Sequence, residues 1–397
     1  MKAGWQIRTL GEIFQIERGG SPRPIEKFIT DDVNGINWIK IGDTKNVTKY
    51  ISKTVEKIKP EGAKRSRVVN EGDFILSNSM SFGRPYIMKT TGCIHDGWLV
   101  LREKMSDIDK DFFYHLIGSD FVYAQFDSLA SGSTVRNLNI ELVKKVNVPF
   151  PPLPEQQRIV TILDEAFEGI AKATANAKKN LANARELFES NLQSVFNQRG
   201  EGWKVRGLGE VCEVKDGTHD SPSYVNEGIP FVTQKNIREN GLSFANTKFI
   251  NQEDHSKFYK RSNVAHGDIL ISMIGANRGM VSIVDDERIF SIKNVGLVKK
   301  NESVNQHFLL YFLKSSQAQE YVRSYSKGGA QEFIGLTELR KFPIPLPSIG
   351  YQNALVLEFN ALSQATKKLE AIYQQKLTAL DELKKSILNQ AFSGQLN

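Results

Sequence analysis

The chain is poor in cysteine and has no long apolar run. Its two cysteines, Cys93 and Cys212, are too few and too far apart to form a disulfide framework or a cysteine-rich zinc site. This usage suits a reducing compartment. The N-terminal residues contain no apolar core of signal-peptide length, and no stretch approaches the roughly 18 apolar residues of a membrane span. We therefore expect a cytoplasmic protein that does not bind a membrane.

Sequence motifs for several kinds of catalysis are also absent. The sequence has no Gly-x-x-x-x-Gly-Lys-Ser/Thr phosphate loop, which argues against a nucleotide-driven motor. Its six histidines show no His-x-x-x-His or cysteine-paired spacing, so we expect no metal site. Residues 147–150 (NVPF) approach the Asn/Asp-Pro-Pro-aromatic motif of DNA amino-methyltransferases but lack its first proline. We predict a chain without catalytic residues and without a cofactor of its own.

The composition that remains is that of an ordinary folded protein. Hydrophobic residues make up 40% and charged residues 24% of the 397 positions. At roughly 150 residues a domain, this length predicts two to three domains. The 52 Lys+Arg exceed the 45 Asp+Glu and leave a net charge of +7, which favours an acidic partner.

The sequence repeats itself once. Residues 4–13 (GWQIRTLGEI) return as residues 202–211 (GWKVRGLGEV), with six of the ten positions identical. Residues 148–151 (VPFP) return in the same way as residues 344–347 (IPLP). Because a period of about 200 residues is too long for a solenoid, the sequence predicts a tandem duplication of one domain and one connecting element.

Each copy begins with a domain that we predict to be mainly β. Short β-branched and aromatic runs at 37–41, 73–77 and 98–101 are typical of strands. Apolar residues at helical spacing predict a short helix over 109–125, with a counterpart over 305–325.

A long helix follows each domain. After the prolines of 149–154, apolar residues recur mostly every three or four positions up to residue 198, which predicts a helix roughly 65 Å long over 155–198. The same pattern returns after Pro347. Two amphipathic helices of equal length can bury their apolar faces against each other. We expect an antiparallel coiled coil, with the two domains at its opposite ends and related by approximate two-fold rotation.

Such a shape suits duplex DNA that carries two sites in inverted orientation. Residues 40–67 contain nine Lys+Arg against three Asp+Glu, a local excess of +6. This basic segment either contacts phosphates or is simply a solvated face, and the sequence leaves both readings open.

Four segments resemble the specificity subunits of type I restriction-modification systems. They are the duplicated start of each copy, residues 152–159 (PLPEQQRI), residues 216–219 (DGTH) and residues 386–394 (SILNQAFSG). The resemblance covers the whole chain. The second copy departs from it at residues 346–352 (LPSIGYQ), where the start of the helix or a partner contact is expected to differ.

The resemblance implies an α+β fold with two target-recognition domains, over 1–153 and 201–350, and two long helices, over 154–200 and 351–397. Each domain would read one half of a split DNA target. The helices would dock two methyltransferase subunits, which bind S-adenosylmethionine, and restriction/translocase subunits would join through the complex. The specificity subunit itself has no catalytic activity in this family. A DNA-binding scaffold for a different enzyme and a coiled-coil protein adaptor remain as alternatives.

Base readout needs polar or basic side chains on loops that reach a groove. The loop at 18–24 (RGGSPRP) has its duplicate at 216–222 (DGTHDSP), so the glycine is kept while the side chains differ. In the first domain the predicted DNA-binding residues are Arg18, Ser21, Arg23, Lys45, Lys64, Arg65, Asn78 and Arg84. The last two are the ends of a predicted turn over residues 78–84. In the second domain they are Lys215, Thr218, His219, Lys235, Asn236, Arg261, Asn277 and Arg278.

Overall fold

A computed structural model describes residues 2, 4–78, 82–130, 137–328 and 332–396. Contacts divide the chain into two compact units. The first unit is Met1–Ala177 together with Gln375–Asn397, and the second is Lys178–Gln374. Each unit therefore contains one globular domain, the beginning of the long helix that follows it and the end of the other long helix.

The first unit is built mainly from short strands. Its strands are β1 (Gln6–Thr9), β2 (Phe14–Arg18), β3 (Ile29–Thr30), β4 (Ile36–Ile39), β5 (Tyr50–Ile51), β6 (Glu56–Ile58), β7 (Arg67–Val69), β8 (Phe74–Ser77), β9 (Pro85–Met88), β10 (Gly92–Ile94), β11 (Trp98–Glu103) and β12 (Asn147–Phe150). Its helices are α1 (Leu10–Ile13), α2 (Pro60–Ala63), α3 (Lys110–Ile117), α4 (Asp120–Ala130), α5 (Ile140–Lys144) and the beginning of α6 (Leu153–Gln198).

These strands form two five-stranded sheets and one antiparallel pair. The sheets have the orders β2-β11-β8-β9-β5 and β3-β6-β4-β10-β7, and β1 pairs with β12. The strands predicted at 37–41, 73–77 and 98–101 are confirmed as β4, β8 and β11. Because β2 pairs with β11, the loop that follows β2 lies beside the loop that precedes β11.

The second unit repeats this arrangement. Its strands are β13 (Lys204–Gly207), β14 (Val214–Asp216), β15 (Tyr224–Val225), β16 (Ile229–Val232), β17 (Ile237–Arg238), β18 (Gly241–Leu242), β19 (Lys248–Ile250), β20 (Ile269–Ser272), β21 (Val281–Ile283), β22 (Ser291–Ile292), β23 (Val295–Val298) and β24 (Pro343–Leu346). Its helices are α7 (Leu208–Val211), α8 (Gln252–Ser262), α9 (Gln306–Lys314), α10 (Ser316–Ser324), α11 (Leu336–Arg340), the end of α6 and the beginning of α12 (Ile349–Ser393).

The sheet topology confirms the duplication. The order β14-β23-β20-β21 repeats β2-β11-β8-β9, and β19-β16-β22 repeats β6-β4-β10. The directions also agree: β4 with β10 and β16 with β22 are parallel, whereas β6 with β4 and β19 with β16 are antiparallel.

The prediction of one helix over 109–125 is wrong, and so is its counterpart over 305–325. Each copy has two helices at this place, with a serine directly before the second one. Ser119 Oγ donates to the carbonyl of Leu116 at 2.6 Å, and Ser315 Oγ donates to the carbonyl of Phe312 at 2.6 Å. Both hydroxyls also accept an N–H from the next helix. A serine that caps the second helix in this way ends the first one.

Both long helices are confirmed, with 46 residues in α6 and 45 in α12. In the first unit Arg158 donates to the carbonyl of Leu396, and further along α6 the ring centroid of Phe167 lies 5.0 Å from Lys384 Nζ. In the second unit Arg185 donates to Glu370, and further along α6 Phe196 lies 5.9 Å from Phe359 between ring centroids. As α6 advances, its partners come earlier in the chain, so the segments of α6 and α12 run antiparallel within each unit. No helix in the described ranges combines the length and apolar character needed to cross a bilayer.

The end of each long helix enters the core of the globular domain in its unit. Phe392 of α12 packs edge-on against Phe112, with ring centroids 5.6 Å apart. Phe196 of α6 packs on Phe308 with the same separation of 5.6 Å. All four rings are buried, so each domain core is completed by a helix that begins after the other domain.

A buried glutamine connects each domain to the helix that follows it. Gln156 Nε2 donates to the carbonyls of Asp107 and Pro151, while its Oε1 accepts the N–H of Asp109. Gln352 repeats this geometry with Pro347 and with the N–H of Asn305. The departure at 346–352 therefore keeps the buried amide.

The same departure removes an ion pair at the neighbouring position. In the first copy Glu155 binds Lys2 and Arg158. In the second copy Tyr351 precedes the buried glutamine and packs against Trp203, with ring centroids 6.2 Å apart. The expected difference at the start of the second helix is thus an aromatic contact in place of a charged one.

Candidate nucleic-acid interface

Two loops of the first domain meet at one end of its sheet. We name them the first loop pair; they are residues 19–24, after β2, and residues 95–97, before β11. The N–H of Gly19 donates to the carbonyl of Trp98 at 2.9 Å. A Cβ on Gly19 would lie 2.1 Å from the carbonyl oxygen of His95, which is closer than any side chain permits. Glycine is required here because the two backbones touch.

Asp96 is the centre of the first loop pair. Ser21 Oγ donates to Asp96 Oδ1 at 2.7 Å, and the guanidinium of Arg23 lies 3.5 Å from Oδ2. The backbone carbonyl of Asp96 accepts Arg18 Nε at 3.1 Å and Asn78 Nδ2 at 2.8 Å. Four of the eight residues predicted in this domain therefore converge on one residue that the sequence analysis did not select.

The electrostatics of the first loop pair keep this carboxylate charged. The hydrogen bond from Ser21 is the main cause that lowers the pKa of Asp96, and Arg23 contributes in the same direction. The carboxylate lies near one nitrogen of the Arg23 guanidinium, and the Arg23 side chain remains 81% exposed. The guanidinium is thus attracted towards the carboxylate while most of its donors face solvent.

Arg65 and Lys64 lie next to the first loop pair. A Cβ on Gly20 would lie 3.2 Å from the carbonyl oxygen of Arg65, so the two backbones are adjacent. The guanidinium of Arg65 lies 5.6 Å from the ring centroid of Phe28 and remains exposed, as does Lys64.

Lys45 and Arg84 form a separate exposed cluster. Arg84 Nη2 donates to the carbonyl of Val47, two residues from Lys45, and its guanidinium lies 5.3 Å from the ring centroid of Tyr86. Of the predicted turn from Asn78 to Arg84, residues 79–81 lie outside the described residues. Within 40–67, three cations are paired with acids; the pairs are Lys40 with Glu56, Lys49 with Asp111 and Arg67 with Glu17.

The second domain rebuilds the same loop pair. Residues 217–222, after β14, and residues 293–294, before β23, are the second loop pair. The N–H of Gly217 donates to the carbonyl of Val295 at 2.9 Å, which repeats the bond from Gly19 to Trp98. A Cβ on Gly217 would lie 2.3 Å from the carbonyl oxygen of Ile292. The backbone contact is therefore common to both copies.

The side chains of the second loop pair differ from those of the first. His219 Nδ1 lies 2.7 Å from Asn294 Oδ1, and its Nε2 lies 3.0 Å from Asp216 Oδ2. Arg261 donates twice to Asp216 Oδ1, at 3.0 and 2.7 Å. The Asp216 carboxylate is 9% exposed, whereas His219 and Arg261 are 61% and 50% exposed. A buried acid thus orients two exposed donors.

Two other predicted residues of the second domain are buried within it. Asn236 Nδ2 donates to the carbonyl of Ser243 and to Thr247 Oγ1, at 2.9 and 2.8 Å. Thr218 Oγ1 accepts the N–H of Asp220 at 3.1 Å. Both side chains order the loops around them.

The remaining predicted residues lie nearer the surface. Lys235 is exposed in a short 3-10 turn, and Lys215 pairs with Glu213 at 3.1 Å. Arg278, which follows Asn277, binds Glu332 at 2.6 Å and keeps only 15% of its side chain exposed. The role of each predicted residue in DNA binding stays a prediction.

Asp96, Asp216 and Asn294 are the site residues that the sequence analysis missed. Asp216 lies inside the repeated loop at 216–222, but an acid and a neutral amide such as Asn294 are poor candidates for binding a polyanion. Asp96 is 75 residues from Ser21 in the chain, and only the strand pairing brings the two together. The repeat alone did not identify them, because residues 94–98 (IHDGW) and 292–295 (IKNV) share only their isoleucine and are equivalent through their places at the start of β11 and β23.

Comparison with known proteins gives a consistent result. The chain matches the type I restriction modification DNA specificity domain twice, over residues 2–181 and 200–390. It is 23% identical over 418 residues to the type I restriction enzyme MjaIX specificity subunit of Methanocaldococcus jannaschii, with 99% of this chain and 93% of that protein covered. The EcoBI specificity subunit of Escherichia coli is 23% identical over 316 residues, covering 72% of this chain and 66% of its own length.

Solved structures share the fold. A chain from a type I R-M system, solved in work on its complex assembly and conformational transition, has a TM-score of 0.81 and 21% identity, and the match covers 100% of this chain and 99% of that one. The HsdS subunit from Thermoanaerobacter tengcongensis has a TM-score of 0.66 and 22% identity, with 100% and 98% covered. Since the family match spans both copies and nearly the whole chain, this protein belongs to the type I restriction-modification specificity subunits.

Proposed function

We propose that this protein recognises a split DNA target and that each loop pair reads one half of it. The observation that carries the proposal is that both domains keep the backbone contact of Gly19 and Gly217 but surround it with different side chains. Ser21 and Arg23 are available in one domain, and His219 and Arg261 in the other. A common scaffold with different donors suits the reading of two different base sequences.

The exposed cations beside each loop pair support this proposal. Phosphate contacts need only accessible positive charge, whereas base contacts need oriented donors. In the first domain Lys64 and Arg65 are accessible, and Arg23 is accessible and lies within ion-pair distance of Asp96. We therefore assign Arg23 to base readout and Lys64 to a phosphate contact.

The long helices would dock the other subunits of the complex. Large apolar side chains on them are exposed and would be covered by a docked partner; they are Leu187, Leu357, Leu369, Ile372 and Leu383. We place two methyltransferase subunits on the long helices, with restriction/translocase subunits joining through the complex. Catalysis and S-adenosylmethionine belong to those partners in this proposal, and the protein acts in the cytoplasm without a cofactor of its own.

Methylation sequencing of host DNA tests the proposal directly. We expect a split motif that is methylated in the host and unmethylated in a strain that lacks this gene. The purified full chain, together with the subunits that co-purify with it, should bind a duplex containing that motif in preference to a scrambled one. Persistence of every methylated motif in the deletion strain would contradict the proposal.

Co-purification and binding separate the two alternatives. A scaffold for a different enzyme would bind DNA but would co-purify with a partner that is not a methyltransferase. A coiled-coil adaptor would show no affinity for DNA even at low salt, where phosphate contacts are strongest.

A further inference from the structure

Asp96 stands out because it is a charged acid inside a proposed DNA-binding surface. Its side chain is 44% exposed, and a carboxylate in that position repels phosphates. The carboxylate accepts a hydrogen bond from Ser21 and lies 3.5 Å from the guanidinium of Arg23. The backbone carbonyl of the same residue accepts from Arg18 and Asn78. Its hydrogen bonds with Ser21, Arg18 and Asn78 join three segments of the chain that the sheet brings to one end.

We propose that Asp96 is a positioning residue for half-site recognition in the first domain, and that Asn294 has the same role in the second. The inference rests on the proposed function. The negative charge of Asp96 weakens the protein's general attraction to DNA, while its carboxylate positions Ser21 and Arg23. It therefore contributes to the discrimination between sequences and lowers the affinity for DNA of random sequence.

The second copy supports this division of roles. Asn294 Oδ1 lies 2.7 Å from His219, the same distance that separates Asp96 Oδ1 from Ser21. An amide keeps the acceptor and lacks the charge. In that copy the charge comes from Asp216, which is buried and contacts both His219 and Arg261. Orientation by a fixed oxygen is thus the feature common to both domains.

Two substitutions at Asp96 separate its acceptor from its charge. Asp96→Ala removes both but keeps the backbone carbonyl that Arg18 and Asn78 bind. We expect discrimination at the first half-site to fall about tenfold, since the lost hydrogen bond from Ser21 goes to a charged group. Asp96→Asn imitates Asn294, and we expect it to retain discrimination within about threefold of the original protein. Both variants should bind a random duplex more tightly, because each removes one negative charge.

The measurement is the affinity of the full chain, with its co-purifying subunits, for three duplexes. One contains the target found by methylation sequencing, one has the first half-site scrambled, and one has the second half-site scrambled. Asn294→Ala is the matched control, and it should reduce discrimination at the second half-site alone. Thermal unfolding of each variant shows whether the fold is kept.

The outcomes distinguish this inference from the proposed function. If the original protein prefers neither half-site, the proposed function fails. If the original protein discriminates but Asp96→Ala discriminates equally well, or loses both half-sites to the same extent, the positioning role is overturned. Tighter binding to random DNA together with weaker discrimination is the result that a merely structural residue would not produce.

Discussion

Ser21 donates a hydrogen bond of 2.7 Å to Asp96, although 75 residues separate them in the chain. His219 and Asn294 occupy the equivalent places in the second copy and lie the same distance apart. Each contact joins the loop after β2 or β14 to the loop before β11 or β23. The duplication has therefore kept the geometry of the contact while the chemistry of its members has changed.

Arg23 and Lys64 should respond differently to substitution by alanine. We expect Arg23→Ala to cost about 1–3 kcal/mol of binding free energy at the first half-site only, because an oriented guanidinium reads a base edge. Lys64→Ala should weaken binding to all sequences and reduce the salt dependence by about one ion. Titrations at several salt concentrations check both, and uniform weakening by Arg23→Ala would assign it to a phosphate.

Gly19→Ala should destabilise the first unit by about 1–3 kcal/mol. The added methyl group would lie 2.1 Å from the carbonyl oxygen of His95, and backbone atoms cannot move aside cheaply. Native-state hydrogen exchange of the amides in β11 reports on this unit. Gly42→Ala is the control, since a Cβ at Gly42 meets no atom within 4 Å and should change stability by less than about 0.5 kcal/mol. Equal protection in the two variants would contradict the close approach.

Gln156→Leu should cost about 2–4 kcal/mol of unfolding free energy. The change leaves the buried carbonyl of Pro151, and the partly buried carbonyl of Asp107 and N–H of Asp109, without their partner at the joint between domain and helix. The neighbouring exposed residue supplies the control, because Gln157→Leu removes the same amide from the surface. Urea unfolding of both variants tests the difference, and similar midpoints would show that the buried amide is dispensable.

Glu155→Gln should make stability less dependent on pH. The hydrogen bond from Arg158, and after it that from Lys2, holds the pKa of Glu155 at about 2, below its ordinary value of 4.5. A lowered folded-state pKa stabilises the fold above pH 4.5, and this stabilisation is lost as the pH falls through about 2. We expect the variant to be less stable at pH 7 by about 1–2 kcal/mol, a value reduced for solvent screening.

Urea unfolding between pH 2.5 and 7 measures this difference, which should shrink steadily towards the acid end. Tryptophan fluorescence in a Trp203→Phe background follows the first unit, because the other three tryptophans lie there. The Trp203→Phe protein with Glu155 intact is the control, because its fluorescence reports on the same unit. A constant difference between Glu155→Gln and the original protein across this range would contradict the ion pair.

The parts of the structure that depend on neighbours in the chain could be predicted from the sequence. Helical periodicity predicted α6 and α12, with bounds that differ from the observed ones by a few residues, since each turn repeats the same local pattern. The same periodicity missed the break at Ser119, because apolar spacing continues on both sides of a capping serine. The loop with Gly19 and Ser21 was also recognised, because it occurs twice.

The sequence by itself determined the duplication, the fold class, the two long helices and the family. All of these follow from patterns that are read along the chain. Only the tertiary structure decided which residues surround Ser21 and His219, and which glutamine connects each domain to its helix. Strand pairing between β2 and β11, and between β14 and β23, brings distant residues within hydrogen-bond distance. The spacing of residues along the chain does not indicate which strands pair, so Asp96 and Asn294 were identified only in the folded protein.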